Sequence, residues 1–295
     1  MPGHGDHWDA LYDVDEYVND KLARDCQASK LICRYPCRDV KGNSERSEEV
    51  ACLRFGDDRF ANQILVVSDS SDSSRFLFSG YPVALDGVVQ TVTINRIDPW
   101  EYAIEGWIHA KAADAASVSF FDTMFFAGSD QLIPGQQVDV SFAGLAYWLR
   151  PIQMRSFEIK EGPMWEMERE RRMKEGETEK EASRPVEIHM TGASIFLPRG
   201  GDEIPDDAQF QGVIEALDSF EHDGQRIYRM EMVVMRPDDG EFRIAVFASE
   251  HVLDGYVPQL GEDVEGILWL QGRIIDSAST TETLRQTNTE TTLLC

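Results

Sequence analysis

The sequence predicts a mainly β protein with minor α, in which two tandem five-stranded Greek-key β-barrels follow an N-terminal helical segment and are joined by a charged helical insertion. Three observations lead there. The first is Gln259 to Gly272, where the turn glycine Gly261 precedes Val264, Ile267, Leu268, Trp269 and Leu270, the pattern of a last buried strand. The second is an earlier echo of it: Pro134-Gly135, then Val138, Val140 and Phe142, then Gly144, Leu145, Tyr147 and Trp148. The third is the charge-dense run from Met164 to Glu181 that separates the two. The expected divisions are a helical and mixed segment over 1–75, a first barrel over 76–157, the charged segment over 158–185, a second barrel over 186–276 and a flexible tail over 277–295.

Taken in order, Trp8, Leu11, Tyr12, Val14, Tyr17, Val18 and Leu22 fall at three-to-four spacing, which predicts an amphipathic helix from Trp8 to about Leu31. Asp6 or Asp9 could cap it. Pro36 and the polar segment from Lys41 to Glu49 read as a loop, with short strands at Val50–Phe55 and Gln63–Val67. The Ser and Asp run from Ser68 to Ser74 reads as a surface loop. From Phe76 onward strand signals dominate: Gly87 to Ile94 is rich in β-branched residues, Trp100 to Ile108 and Ser117 to Phe126 follow, and the strand after Gly135 closes the unit.

A second unit repeats this order. Gly212-Val213-Ile214 answers Gly87-Val88-Val89, Ile227 to Val234 answers the segment around Tyr102, Phe242 to Phe247 answers Ser119 to Phe126, and Gly261 answers Gly135. Five short strands per unit, with glycines where a strand must bend, resemble the OB-type barrel over roughly Val83 to Ile152 and Ala208 to Ile275. Between the units, Glu166 with Glu170 and Glu170 with Lys174 lie at i, i+4 in a solvated helix or a flexible charged excursion, of which Trp165, Met167 and Met173 could pin one face, bracketed by Gly162-Pro163 and Arg184-Pro185. Val186 to Leu197 reads as a returning strand and Pro198 to Asp207 as a loop.

Charge narrows the function. With 53 acidic against 28 basic side chains, the formal net charge is -25, which repels polyanions and suits a basic partner. The N-terminus lacks the basic start and apolar core of a signal peptide, no run is long and apolar enough to span a bilayer, and five cysteines in a charged chain suggest reduced thiols; a cytoplasmic protein is expected.

Motif chemistry is sparse. His4 and His7 form a His-x-x-His pair, but glycines surround it at a chain end, so no metal site is expected. Cys26, Cys33, Cys37 and Cys52 lack a Cys-x-x-Cys knuckle and read as thiols. There is no Gly-x-Ser-x-Gly elbow and no Gly-x-x-x-x-Gly-Lys phosphate loop. The doublet Glu250-His251 and the isolated His109, His189 and His222 read as surface or structural residues, so neither catalysis nor a cofactor is expected.

The function expected is therefore that of an acidic, non-enzymatic protein-binding module. It would neutralise a basic nucleic-acid-binding partner by placing carboxylates where phosphates sit, as DNA-mimic inhibitors and toxin-neutralising immunity proteins do. Glu262, Asp263 and Glu265 beside Gly261, with Asp238 and Asp239, are the candidate partner-binding residues. The alternative is an OB-type accessory protein binding single strands through a local groove of Arg150, Arg155, Arg169, Arg171 and Arg172 with Trp148.

Overall fold

The computed structural model of the chain describes residues 4–37, 48–69, 74–100, 102–113, 116–200, 204–238 and 240–275. The chain opens with a 3-10 segment at His4–Ala10, α1 (Val14–Glu16), a π-helical turn at Tyr17–Lys21 and α2 (Leu22–Ala28). The sequence predicts one continuous helix here, and the aromatic spacing explains the difference. Trp8, Tyr12 and Tyr17 are four and five residues apart, yet all are buried, with the Trp8 and Tyr17 rings stacked 3.5 Å apart. A regular α-helix cannot hold all three on one face. The break and the wide turn do so, and Asp13 restarts the helix by accepting from Asp15 N and Glu16 N.

A four-stranded antiparallel meander follows: β1 (Lys30–Cys37), β2 (Glu48–Gly56), β3 (Phe60–Asp69) and β4 (Arg75–Ala84). The strands expected at Val50–Phe55 and Gln63–Val67 lie within β2 and β3. Pro36 belongs to β1 and not to a loop, which an edge strand tolerates because one side of its ladder is open.

Then come β5 (Val88–Pro99), β6 (Gly106–Ala113), β7 (Ala116–Asp122) and β8 (Gln137–Pro151), with 3-10 turns at Phe125–Ala127 and Ser129–Gln131 before β8. An excursion of β9 (Ser156–Ile159), α3 (Pro163–Lys174), α4 (Glu179–Ala182) and β10 (Val186–His189) interrupts the barrel strands. The chain ends with β11 (Ile195–Gly200), β12 (Ile204–Val213), β13 (Ala216–His222), β14 (Gln225–Met235), β15 (Phe242–Ser249), α5 (Glu250–Leu253) and β16 (Asp263–Ile275). The single strand expected over Val186–Leu197 is thus split by a turn at Gly192, and much of the expected loop over Pro198–Asp207 is strand, with Pro198 again on an edge.

The molecule is mainly β and contains a closed five-stranded barrel. Its strands run β5-β6-β7-β16-β8 and back to β5, so the barrel recruits β16 from the far end of the chain. β7 lies parallel to β16, with Phe121 opposite Gln271, and β15 lies parallel to β8, with Phe247 opposite Leu145. β8 and β16 cross antiparallel with Gly144 opposite Leu270. The bent β5 pairs first with β8 and then with β6, while β12 pairs with β16 and its continuation β13 with β14. Two turns also match. Gly135 N donates to Ile94 O (2.7 Å) and Ile94 N to Gln136 O (2.9 Å), while Gly261 N donates to Ile214 O (2.8 Å) and Ile214 N to Glu262 O (3.0 Å). Gly135 and Gly261 both hold positive φ, at 90° and 82°, which explains the glycines read from the sequence. The registers set Gly212-Val213 at the end of β12 and Val88-Val89 at the start of β5, so that expected correspondence is displaced along the strand.

Two large cores, with two small satellite clusters, lie among the described residues. In the first, Phe120, Phe142, Leu268 and Leu270 of the barrel pack with Phe210 of β12 and Phe242 of β15. Outside, the N-terminal segment and meander cover Phe121, Leu145, Phe247 and Trp269 with Trp8, Tyr12, Phe60, Leu65 and Tyr81. Side chains alternate across each strand, so neighbouring residues such as Phe120 and Phe121 serve different cores.

Candidate functional site

The expected acidic patch is engaged within the chain. Glu262 accepts from the Tyr256 hydroxyl at 2.5 Å, Asp263 accepts from Gly192 N at 2.7 Å, and Glu265 is paired with Arg150 Nε at 2.9 Å. These carboxylates sit at the start of β16, where they tie the Gly261 turn and the base of the excursion to the barrel. Asp238 is exposed in the β14–β15 connection, and the Asp239 site lies outside the described residues.

The arginines expected to line a groove are also paired. Arg150 sits over the Trp148 ring at 4.9 Å while bound to Glu265. Arg169 binds Glu179 at 3.0 Å, Arg171 binds Glu168 and Glu175, and Arg172 binds Glu168 at 2.9 Å. Arg155 is exposed on the approach to β9, where its carbonyl accepts from Met190 N. Trp148 and Arg150 are on β8, whereas Arg169, Arg171 and Arg172 are on α3, which packs chiefly on α4. Of the aromatic residues, Phe120 and Phe125 are barrel core, and Trp100, Tyr102, Trp107 and Tyr147 pack against the second core.

The histidines and cysteines are spread over several elements. His7 is buried with its ring stacked 3.8 Å from Trp269 and its Nδ1 2.6 Å from the Tyr147 hydroxyl. The side chains of His4 and Cys37 lie outside the described residues, and Cys26, Cys33 and Cys52 are reduced. Among the described residues no three His, Cys, Asp or Glu side chains converge as metal ligands would. His109 touches Ser119 Oγ (2.7 Å) and Asp98 Oδ2 (2.9 Å) across three strands. Arg96 lies 2.7 Å from the same carboxylate and 2.9 Å from the imidazole. Glu250 and His251 are exposed on α5.

Two features escaped the sequence. One is an apolar cavity of about 430 Å³ between α2 and the outer face of the meander, lined by Leu22, Cys26, Leu53, Val66 and Leu77 with Arg34 and Arg75. The other is the excursion from β9 to β10, a self-contained arm. Its base is the two-stranded sheet β9-β10, separate from the other sheets, with Ile159 opposite Val186. Gly162 turns the chain at φ 93° and Pro163 starts α3, whose C-terminus closes in a Schellman motif. There Gly176 N donates to Met173 O and Glu177 N to Arg172 O. Thr178 and Glu181 form a capping box on α4. Arg172, only 7% exposed, bridges Glu168 and the carbonyl of Arg184, and Trp165 Nε1 donates to the same carbonyl. Bonds from Arg171 and then Arg172 hold the Glu168 carboxyl down at about 2, so it stays ionised at any ordinary pH.

The arm turns apolar side chains outward. Met164 is 50% and Met167 68% exposed, one helical turn apart on α3, and Met154, Phe157 and Met173 are exposed elsewhere on or near the arm. Met167 and Met173, expected with Trp165 to pin one face of α3, are exposed instead, while Trp165 and Arg172 dock on Arg184. No helix is long and apolar enough to cross a membrane among the described residues. Comparison with family models, with curated proteins and with solved structures finds no match.

Proposed function

We propose that the protein is a non-enzymatic, cytoplasmic protein-binding module that engages a basic partner through its arm. The observation that carries this reading is the pair Met164 and Met167, exposed on a helix whose Trp165, Glu168, Arg169 and Arg172 side chains hold the arm together. Flexible, polarisable methionines adapt to an apolar pocket on a partner. The net charge of -25 supplies long-range attraction to a basic surface around that pocket and discourages nucleic acid. The nucleic-acid reading is weaker because Arg150, Arg169, Arg171 and Arg172 already carry carboxylate partners. A partner-neutralising role would use the exposed Asp238 and other surface carboxylates as the steering field, with the arm as anchor.

The body that carries the arm is read as two OB-type units of common origin. The matching turn bonds at Gly135 and Gly261 and the reciprocal parallel pairs, Phe121 with Gln271 and Phe247 with Leu145, support that reading. In it, β8 and β16 each take the closing position beside the other unit's third strand.

Site-specific photocrosslinking in the native host tests the proposal. A benzophenone side chain at position 167 is expected to trap one basic protein, whereas the same group at the exposed body positions 77 and 257 traps none. Trapping only from the body, or recovery of nucleic acid from position 167, would overturn it.

A further inference from the structure

Cys33 and Cys52 are direct partners in the antiparallel pairing of β1 and β2, so their side chains leave the sheet on the same face. Cys52 is fully buried, and Cys33, on the edge strand, is half-buried. The two thiols are near enough to shift one another's ionisation. Arg54, two residues beyond Cys52, points the same way, and its guanidinium is fixed by Gln63 Oε1 (2.8 Å) and the Met124 sulfur (3.2 Å). The interaction with Cys52, and then the charge of Arg54, lower the Cys33 thiol, while the interaction with Cys33 and burial raise Cys52. Ionisation therefore favours Cys33 over Cys52, the asymmetry found in reactive dithiols.

We propose that Cys33 and Cys52 form a redox site that reduces a hydroperoxide and closes to a cross-strand disulfide. The Cys33 thiolate attacks the peroxide, forming an S–O bond and breaking the O–O bond; the hydroxide released takes up a proton and leaves as water. Cys52 sulfur then attacks the Cys33 sulfenic acid, forming the S–S bond and expelling hydroxide, which leaves as water with the proton of Cys52. Two electrons pass from the sulfurs to the peroxide, and hydrogen peroxide becomes two waters. Facing Cβ atoms in such a pair stand about 4.5–5.5 Å apart, slightly wider than the roughly 3.5–4.5 Å of a relaxed disulfide. The bond is therefore strained and readily reversed by a thiol reductant.

The test uses the full chain, reduced, then exposed to one equivalent of hydrogen peroxide. The protein is expected to lose two of its five thiols, and unreduced peptide mapping to recover a Cys33–Cys52 crosslink. C52S accumulates a Cys33 sulfenic acid that dimedone traps, C33S leaves Cys52 reduced, and R54M slows the reaction about tenfold. Thermal melts of each variant show that it is folded, and the wild-type crosslink decides the matter if one is not. Oxidation confined to Cys26, Cys37 or Cys295, or reaction of C33S at the wild-type rate, would overturn the proposal.

Discussion

Asp122, at the end of β7, is 4% exposed and accepts one bond, from Met124 N at 3.0 Å. Burial pushes its carboxyl up from 3.8 to about 7. The folded state therefore keeps a proton that the unfolded chain releases above its own pKa, so the stability from this group is complete below pH 3.8 and is lost as pH rises through about 7. D122N removes that loss: the variant should melt higher than wild type at pH 8 and nearly equal to it at pH 4, as calorimetry at both values would show. Asp25 behaves differently. It is fully buried and accepts from Tyr17, Arg24 and Asn62, while Asp223 next to it binds Tyr12, Lys21 and Arg24. His222 Nε2 donates to Asn62 Oδ1, and burial lowers its pKa, so the ring is held neutral. D25A leaves the buried Tyr17 hydroxyl and Asn62 amide without that acceptor while Arg24 keeps Asp223, and denaturant unfolding should show a loss of about 2–4 kcal/mol. Neither aspartate was legible in the sequence. Each is one of 53 acids, and only tertiary burial sets it apart.

At the scale of elements, the sequence was most informative where a strand obeys a turn glycine and a buried run, as at Gly135 with β8 and Gly261 with β16. It misled where local chemistry is overruled by position. Pro36 and Pro198 signal loops, yet both lie on edge strands, where the missing donor costs no ladder bond. The N-terminal apolar period signalled one helix, but inward stacking of Trp8, Tyr12 and Tyr17 broke it. The crossing of β8 and β16 depends on small residues. A Cβ on Gly266 would collide with the Trp148 carbonyl oxygen and lie 2.8 Å from Phe210 Cε1. G266A should therefore destabilise by about 3 kcal/mol, read from the urea midpoint at unchanged slope. A midpoint within error of wild type would mean that β16 sits less tightly against β8 than described.

The whole molecule separates a scaffold from an arm. In the scaffold, strands from both halves of the sequence share one barrel and one covering meander, so neither the order β7-β16-β8 nor the second core could be read from local pattern. Long-range strand partners leave no signature in a single sequence beyond alternation. The arm was half legible: its charge and helix were evident, but its outward methionines depended on how Arg172 and Trp165 dock on Arg184. Because Ile159 and Val186 face each other across β9-β10, replacing residues 160–185 by Asn-Gly should close the hairpin and leave the melting temperature within a few degrees. The central claim is that this arm anchors the partner. Titration calorimetry of the crosslinked partner, once purified, against wild type and the hairpin-closed variant tests it most directly. The account predicts at least about a hundredfold weaker binding for the variant, a loss of roughly 3 kcal/mol; equal affinities for the two proteins would contradict it.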